Sequence, residues 1–300
     1  MSDNNKNGLP TADLTKKYKK NSQFKEAYKR LLRNKTAVLG MIIVVLLILM
    51  ALTAPLIYDY DTQVIKQHID ERQLGPSAAH PFGTDETGRD ILARVVYGSR
   101  TSLSVGASSV AIALLAGGFL GALAGFYGGM FDNVIMRIMD IFLAIPGTLF
   151  AITIVAALGP NTTNLMIAMS ISSIPRFARI VRGPVLTVRD SEYVEAARAI
   201  GAKNGRIIFG HVIPNSLAPV IVQTTLEVAS IILSIAGLSF LGLGVQAPAP
   251  EWGAMLSSAR TYLREYTYMA IFPGLAIVIT ILALNLLGDG LRDALDPRLK

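Results

Sequence analysis

Long runs without a single charged residue constrain this chain more than any other feature. Between Lys35 and Asp59 there is no charge, and the same holds for residues 101–131, 141–175 and 266–288. From Ile207 to Pro250 the one charge is Glu227. About 20 apolar residues carry a helix across the hydrocarbon core of a bilayer, so each run holds at least one crossing. The 141–175 run is too long for one and is divided by Gly159-Pro160-Asn161. Charged residues make up only 16% of the chain and hydrophobic residues 52%. A soluble domain carries about 25% charged residues, so a water-exposed surface could not be covered here. The expected fold class is an all-α membrane protein with six transmembrane helices, at roughly 37–57, 102–126, 134–157, 163–183, 215–241 and 267–287.

Lysine and arginine set the orientation of such helices, because cytoplasmic loops retain them. Of the 28, 21 lie in the N-terminal tail, at Arg137, in the segment Arg176–Arg206 and in the C-terminal tail; only seven lie on the other side. Both termini and the Arg176–Arg206 segment are therefore expected in the cytoplasm, with the chain a multi-pass protein of the cell membrane. The net charge of +7 is mostly this topological signal, and no nucleic-acid partner is needed to explain it. A cleavable signal peptide is not expected, since the first apolar run starts only after Lys35 and is long enough to span. The absence of cysteine removes disulfide and thiol chemistry.

The tail up to Leu14 is rich in Asn, Lys, Gly and Asp and is expected to be disordered. From Ser22 to Lys35, Phe24, Ala27, Tyr28, Leu31 and Leu32 fall on one helical face, with Lys25, Lys29, Arg30 and Arg33 elsewhere. This reads as an amphipathic helix on anionic lipid; a solvated basic linker is the alternative. In the outward loop, His80-Pro81-Phe82-Gly83-Thr84-Asp85 leads to Glu86 and Asp90. One histidine among scattered carboxylates is a poor metal site, and no metal is expected. Thr87 with Asp90 resembles a capping box for a short amphipathic helix of Ile91, Leu92, Val95 and Val96 that ends at Gly98.

Three features inside the spans carry further expectations. Gly117, Gly121, Gly125 and Gly129 recur every four residues, a small-residue ladder that lets helix backbones approach closely in lipid. Arg176, Arg179 and Arg182 recur every three and are expected to snorkel toward lipid phosphates, or to contact a cytoplasmic partner. Gln223, Glu227, Ser230 and Ser234 share one face of the fifth span. Glu227 lies about 20 Å beyond Pro214, near the midplane, where a charge costs about 3 kcal/mol unless it meets water or a partner. Two readings are open for it: a residue lining a hydrated translocation pathway, or a glutamate protonated or paired with a neighbouring helix.

Between the fourth and fifth spans lies Glu195-Ala196-Ala197-Arg198-Ala199-Ile200-Gly201, followed by His211-Val212-Ile213-Pro214-Asn215. Asp190, Ser191 and Glu192 supply capping oxygens and negative charge for a helix start, and Gly201 offers the left-handed residue that closes one. Asn204-Gly205 then turns the chain into a second helical piece expected to stop before Pro214. The register of Glu195, Gly201 and Pro214 resembles the EAA loop of ABC importer permeases, with His211 where many members carry Ile. Asn34-Lys35, the His80–Asp90 box, Ser239-Phe240-Leu241-Gly242-Leu243-Gly244, Glu251-Trp252-Gly253-Ala254-Met255 and Gly288–Arg298 are similar to the C-type permease of the dipeptide, oligopeptide and nickel branch.

The resemblance runs from residue 24 to the end and implies a type I ABC importer permease fold. It divides the chain into a tail at 1–35, a first helix with its outer loop at 36–100, and a permease core at 101–300 whose coupling loop covers about 184–214. It implies a heterodimer with a B-type permease, two cytoplasmic ATPases that bind ATP and Mg, and an extracytoplasmic substrate-binding protein. Glu195, Ala196, Ala197, Arg198, Gly201 and Pro214 would couple to an ATPase, and Gln223, Glu227, Ser230 and Ser234 would line the pathway. The residues agree that energy enters from elsewhere: there is no Gly-Lys pair and hence no phosphate-cradling G-x-x-x-x-G-K-[ST], and no H-E-x-x-H or G-x-S-x-G. The expected role is a non-catalytic subunit without a cofactor, importing dipeptides or oligopeptides. Alternatives are a nickel or metal-chelate importer of the same class, or an ion-coupled secondary transporter with Glu227 as proton carrier.

Overall fold

The computed structural model describes residues 23–295; the tail up to Leu14 lies outside the described residues. Helix α1 (Gln23–Arg33) meets α2 (Lys35–Ile57) at Asn34, whose Oδ1 accepts from the Thr36 and Ala37 amides at 3.1 and 3.2 Å. Leu31 is buried with Ala37 and Ala294, whereas Tyr28 and Leu32 remain exposed. The exposed residues of α2 from Leu39 to Leu52 are apolar, as a lipid-facing surface requires.

The outer segment is tied by a buried charge network. Asp85 Oδ1 accepts from the amides of Thr87 and Arg89, and Oδ2 from Arg89 Nε at 2.7 Å. Arg94 Nε lies 3.4 Å from the same carboxylate, while its Nη1 donates to the carbonyls of Val64 and Pro248. Asp90 caps α3 (Ile91–Tyr127) by accepting from the Ala93 amide, and sits 2.9 Å from His80 Nδ1. The expected Thr87–Asp90 capping box is therefore not formed: the Thr87 hydroxyl donates to Asp85 instead. Nor does a short helix stop at Gly98. Helix α3 runs 37 residues without interruption; Gly98 within it lies against the Trp252 ring, where a larger residue would crowd it.

Gly117, Gly121 and Gly125 meet α6 (Thr162–Arg189) so closely that a Cβ at Gly121 would collide with the Ala178 backbone. After α3 the chain turns into α4 (Gly129–Leu143) and α5 (Gly147–Leu158), which meet at 79°. The straight third span expected at 134–157 is thus a bent pair. Pro146 is the physical reason, since it disfavours helical backbone at Ile145 and donates no amide hydrogen. Helix α6 (Thr162–Arg189) leads to α7 (Glu192–Ala199) and α8 (Asn204–Ile207), then through a π-helical turn at Ile208–Val212 into α9 (Ile213–Phe240). The helical piece expected to stop before Pro214 does not stop. The wider turn just before the proline absorbs its missing donor, leaving one 37-residue rod from Asn204 to Phe240.

The chain closes with α10 (Trp252–Ala259) and α11 (Tyr268–Leu295). Glu251 caps α10, accepting from the Gly253 and Ala254 amides at 2.9 and 2.8 Å and from the Ser102 hydroxyl at 3.1 Å. Burial pushes its carboxyl up, and the two amide hydrogen bonds oppose that shift. Trp252 is fully buried, its indole N–H donating to the Val95 carbonyl at 2.9 Å. Helices α2, α3, the Asn204–Phe240 rod and α11 are long and apolar enough to cross a membrane, and the bent α4–α5 pair together makes a fifth candidate. Helix α6 has 28 residues, about 42 Å, but its apolar stretch is broken by arginines. Its inner face packs Leu165, Ala168 and Phe177 against Val105 and Ala113 of α3 and Ile231 and Ile235 of α9.

Candidate functional site

Helix α7 projects from the ends of the long helices rather than from their packed middle. Val194 and Ala197 turn inward, buried among Phe126, Val185, Ile207 and Val212. Arg198 places its guanidinium carbon 5.8 Å from the centre of the Phe126 ring, a cation–π contact. Ser191 stands at the N-cap position but does not cap; its hydroxyl donates to the Val188 carbonyl at 2.6 Å, which also accepts from the Asp190 and Ser191 amides at the end of α6. Asp190 is also engaged backward, and its hydrogen bond from Arg189 holds its carboxyl below the usual carboxylate range.

The other end closes as the glycine requires. Gly201 has φ +84°, its amide donates to the Arg198 carbonyl, and the Ala202 amide donates to the Ala197 carbonyl. This pair of bonds is a Schellman motif. Glu195, Ala196 and Arg198 face outward, Ala197 holds the helix down, and Pro214 is exposed in the first turn of α9. The outward surface also carries residues to which sequence reasoning assigned no role: Ile200 is 87% exposed, Phe209 75%, and Tyr193 lies with its ring 6.4 Å from that of His211. Large apolar residues flanking a short, charged helix were the available signal.

The second constellation lies midway along α6 and α9. Arg176 and Glu227 each stand near the middle of a 28-residue helix, α6 and α9, and Arg176 Nη1 donates to Glu227 Oε1 at 2.6 Å. The Glu227 side chain is 10% exposed and that of Arg176 is 55% exposed. Of the two readings of Glu227, pairing with a neighbouring helix describes its surroundings. The other arginines are paired as well: Arg179 with Asp140 at 2.7 Å, and Arg182 with both carboxylate oxygens of Asp132 at 2.5 and 2.6 Å. These partners lie on α4 and α9, so each guanidinium has a carboxylate beside it. The four polar residues of α9 do not share one environment. Gln223 and Ser230 are exposed, Ser234 is half-buried with its hydroxyl donating to the Ser230 carbonyl, and Glu227 is buried.

Residues 117–300 match the family described as binding-protein-dependent transport system inner membrane component, and residues 22–76 match the N-terminal transmembrane domain of oligopeptide transport permease C. This chain belongs to the binding-protein-dependent transport permease family. It is 50% identical over 93% of its length to a dipeptide transport system permease of Alkalihalophilus pseudofirmus, covering 91% of that protein. A glutathione transport system permease of Pectobacterium atrosepticum is 46% identical, with 92% of each chain covered, and a di/tripeptide transport system permease of Pseudomonas aeruginosa is 47% identical, with 93% of each covered. A solved inward-facing structure of the MetNI methionine ABC transporter superposes on 69% of this chain and 98% of that one, with a TM-score of 0.57 and 19% identity. That likeness concerns the fold, which is the helical fold of an ABC importer permease. As a transport permease of this family the chain is a multi-pass inner-membrane protein and a membrane component of a transport system, with ATPase and substrate-binding partners.

Proposed function

We propose that this chain is the permease through which an ATP-driven, binding-protein-dependent importer passes dipeptides or oligopeptides. The identity of 50% with a dipeptide transport permease carries this reading, and relatives named for di/tripeptide and glutathione transport support it. The partners are a second, B-type permease, two cytoplasmic ATPases that bind ATP and Mg, and an extracytoplasmic binding protein. The chain itself carries no catalytic residue and no cofactor. It crosses the membrane six times, with the α4–α5 pair and α6 as the third and fourth crossings, and both termini are cytoplasmic.

Helix α7 is the coupling helix in this reading. Glu195, Ala196, Arg198 and Ile200 meet the ATPase, Ala197 anchors the helix, Gly201 ends it, and Pro214 opens the rod leading to mid-membrane. The face of α9 that holds Gln223, Glu227, Ser230 and Ser234 borders the pathway. The test is uptake of a labelled dipeptide by proteoliposomes holding both permeases, the ATPases and the binding protein. Uptake is expected to require ATP and binding protein; uptake by this chain alone under a proton or sodium gradient would overturn the reading. Gly201→Val bears on the coupling residues. A branched side chain at that backbone angle costs about 1–3 kcal/mol, so the end of α7 frays and uptake falls although the complex still purifies.

A further inference from the structure

The Arg176 guanidinium is only partly used. Among the described residues its one hydrogen bond is from Nη1 to a single oxygen of Glu227, which leaves the Nε and Nη2 edge open on a side chain that is 55% exposed. That edge presents two parallel N–H donors, the geometry that a carboxylate accepts in a bidentate pair. Its depth makes the exposure informative. A guanidinium midway along a 28-residue helix is costly in hydrocarbon, and its neighbours are not those of a lipid face. Gln223 and Ser230, one turn to either side of Glu227, are exposed polar residues, whereas the exposed residues of α2 from Leu39 to Leu52 are apolar.

We infer that Arg176, midway along α6, is a binding site for a carboxylate of the cargo, and that Glu227 is the positioning residue that holds it. This inference rests on the peptide reading above, in which every unmodified cargo molecule carries a terminal carboxylate. Glu227 does two things in it. The hydrogen bond fixes the guanidinium so that its open edge faces away from α9, and the buried negative charge offsets the positive one. A site with offset charge binds weakly, and weak binding is what a pathway needs, since cargo must leave as readily as it arrives. The two lower pairs differ. Arg182 is held by both oxygens of Asp132, and Arg179 pairs with an Asp140 that is itself half exposed, so neither combines an open guanidinium with a buried partner.

The experiment compares dialanine with its C-terminal amide in proteoliposomes containing the whole complex, at concentrations that load the binding protein equally. The unaltered complex is expected to take up the free acid several-fold faster than the amide; equal rates overturn the site without needing any variant. Arg176→Gln should lower free-acid uptake about tenfold, the worth of one charge-assisted contact, and amide uptake less than twofold. Arg176→Lys should restore part of the acid preference. An equal loss for both cargoes, or no loss, overturns the inference, because a purely structural role does not distinguish the two. If the unaltered complex takes up neither cargo, the peptide reading itself falls.

Discussion

Two sets of buried charges, one outside the spans and one midway along α6 and α9, are built on opposite plans. In the outer knot Asp85 and Arg89 are 10% and 5% exposed, and Arg94 brings in carbonyls from two distant loops. Every charge there faces another, and none faces outward to a large extent. Midway along the two helices the carboxylate of Glu227 is equally hidden, but its partner Arg176 is mostly open. A closed network can specify a fold and do nothing else. A half-open one leaves a charge presented at a chosen depth, which is what a passage needs.

Breaking the closed set should cost most. Asp85→Ala removes the carboxylate shared by two buried guanidinium groups, leaving Arg89 only Glu86 and Arg94 only carbonyls, and removing one partner of such a network costs about 3–5 kcal/mol. Thermal unfolding followed by fluorescence of Trp252, the one tryptophan, should show a large loss or no folded protein; unchanged stability would mean that the knot does not hold the outer segment. Arg94→Met comes next. It leaves Asp85 its Arg89 partner but abandons two carbonyls, for a loss of about 2 kcal/mol in the same measurement.

The half-open pair should separate stability from transport. Glu227→Gln keeps an acceptor for Arg176, so the complex should purify with an unfolding midpoint close to that of the unaltered protein, shifted by about 1 kcal/mol or less. Uptake should change instead, with a lower KM and a lower kcat, because the guanidinium is no longer offset. Equal kinetics would show that the two plans differ in exposure alone. Arg179→Ala should do least: both partners are more than half exposed or nearly so, and such pairs contribute about 0–1 kcal/mol.

Local information was legible in the residues, and long-range information was not. The charge-free runs located α2, α9 and α11, because the cost of burying charge in lipid acts on each segment by itself. Gly201 marked the end of α7 for the same reason, since the left-handed turn is a one-residue requirement. Arg176, Arg179 and Arg182 pair with residues 39 to 51 positions away, and no local pattern indicates which carboxylate comes near. Gly98 and Pro214 were read as breaks, yet both lie within or beside continuous helix. Gly98 answers to Trp252 across the fold, and Pro214 to a π-helical turn that leaves no mark in composition. Among the site residues, Glu195 and Ala196 were legible only as members of a spaced motif, whereas the prominence of Ile200 and Phe209 depends on how the loop packs in three dimensions.

The uninterrupted passage from Asn204 through Pro214 to Phe240 makes this segment a lever. Val212 to Glu227 is 15 residues, about 22 Å of helix that includes Pro214 and Pro219, and a tilt of about 10° of that helix as one piece carries the carboxylate about 4 Å sideways. The 2.6 Å bond to Arg176 belongs to a different helix and could not follow. With α7 as the coupling helix proposed above, the pair would act as a latch, shut or sprung according to the angle of a helix whose first turns lie next to α7.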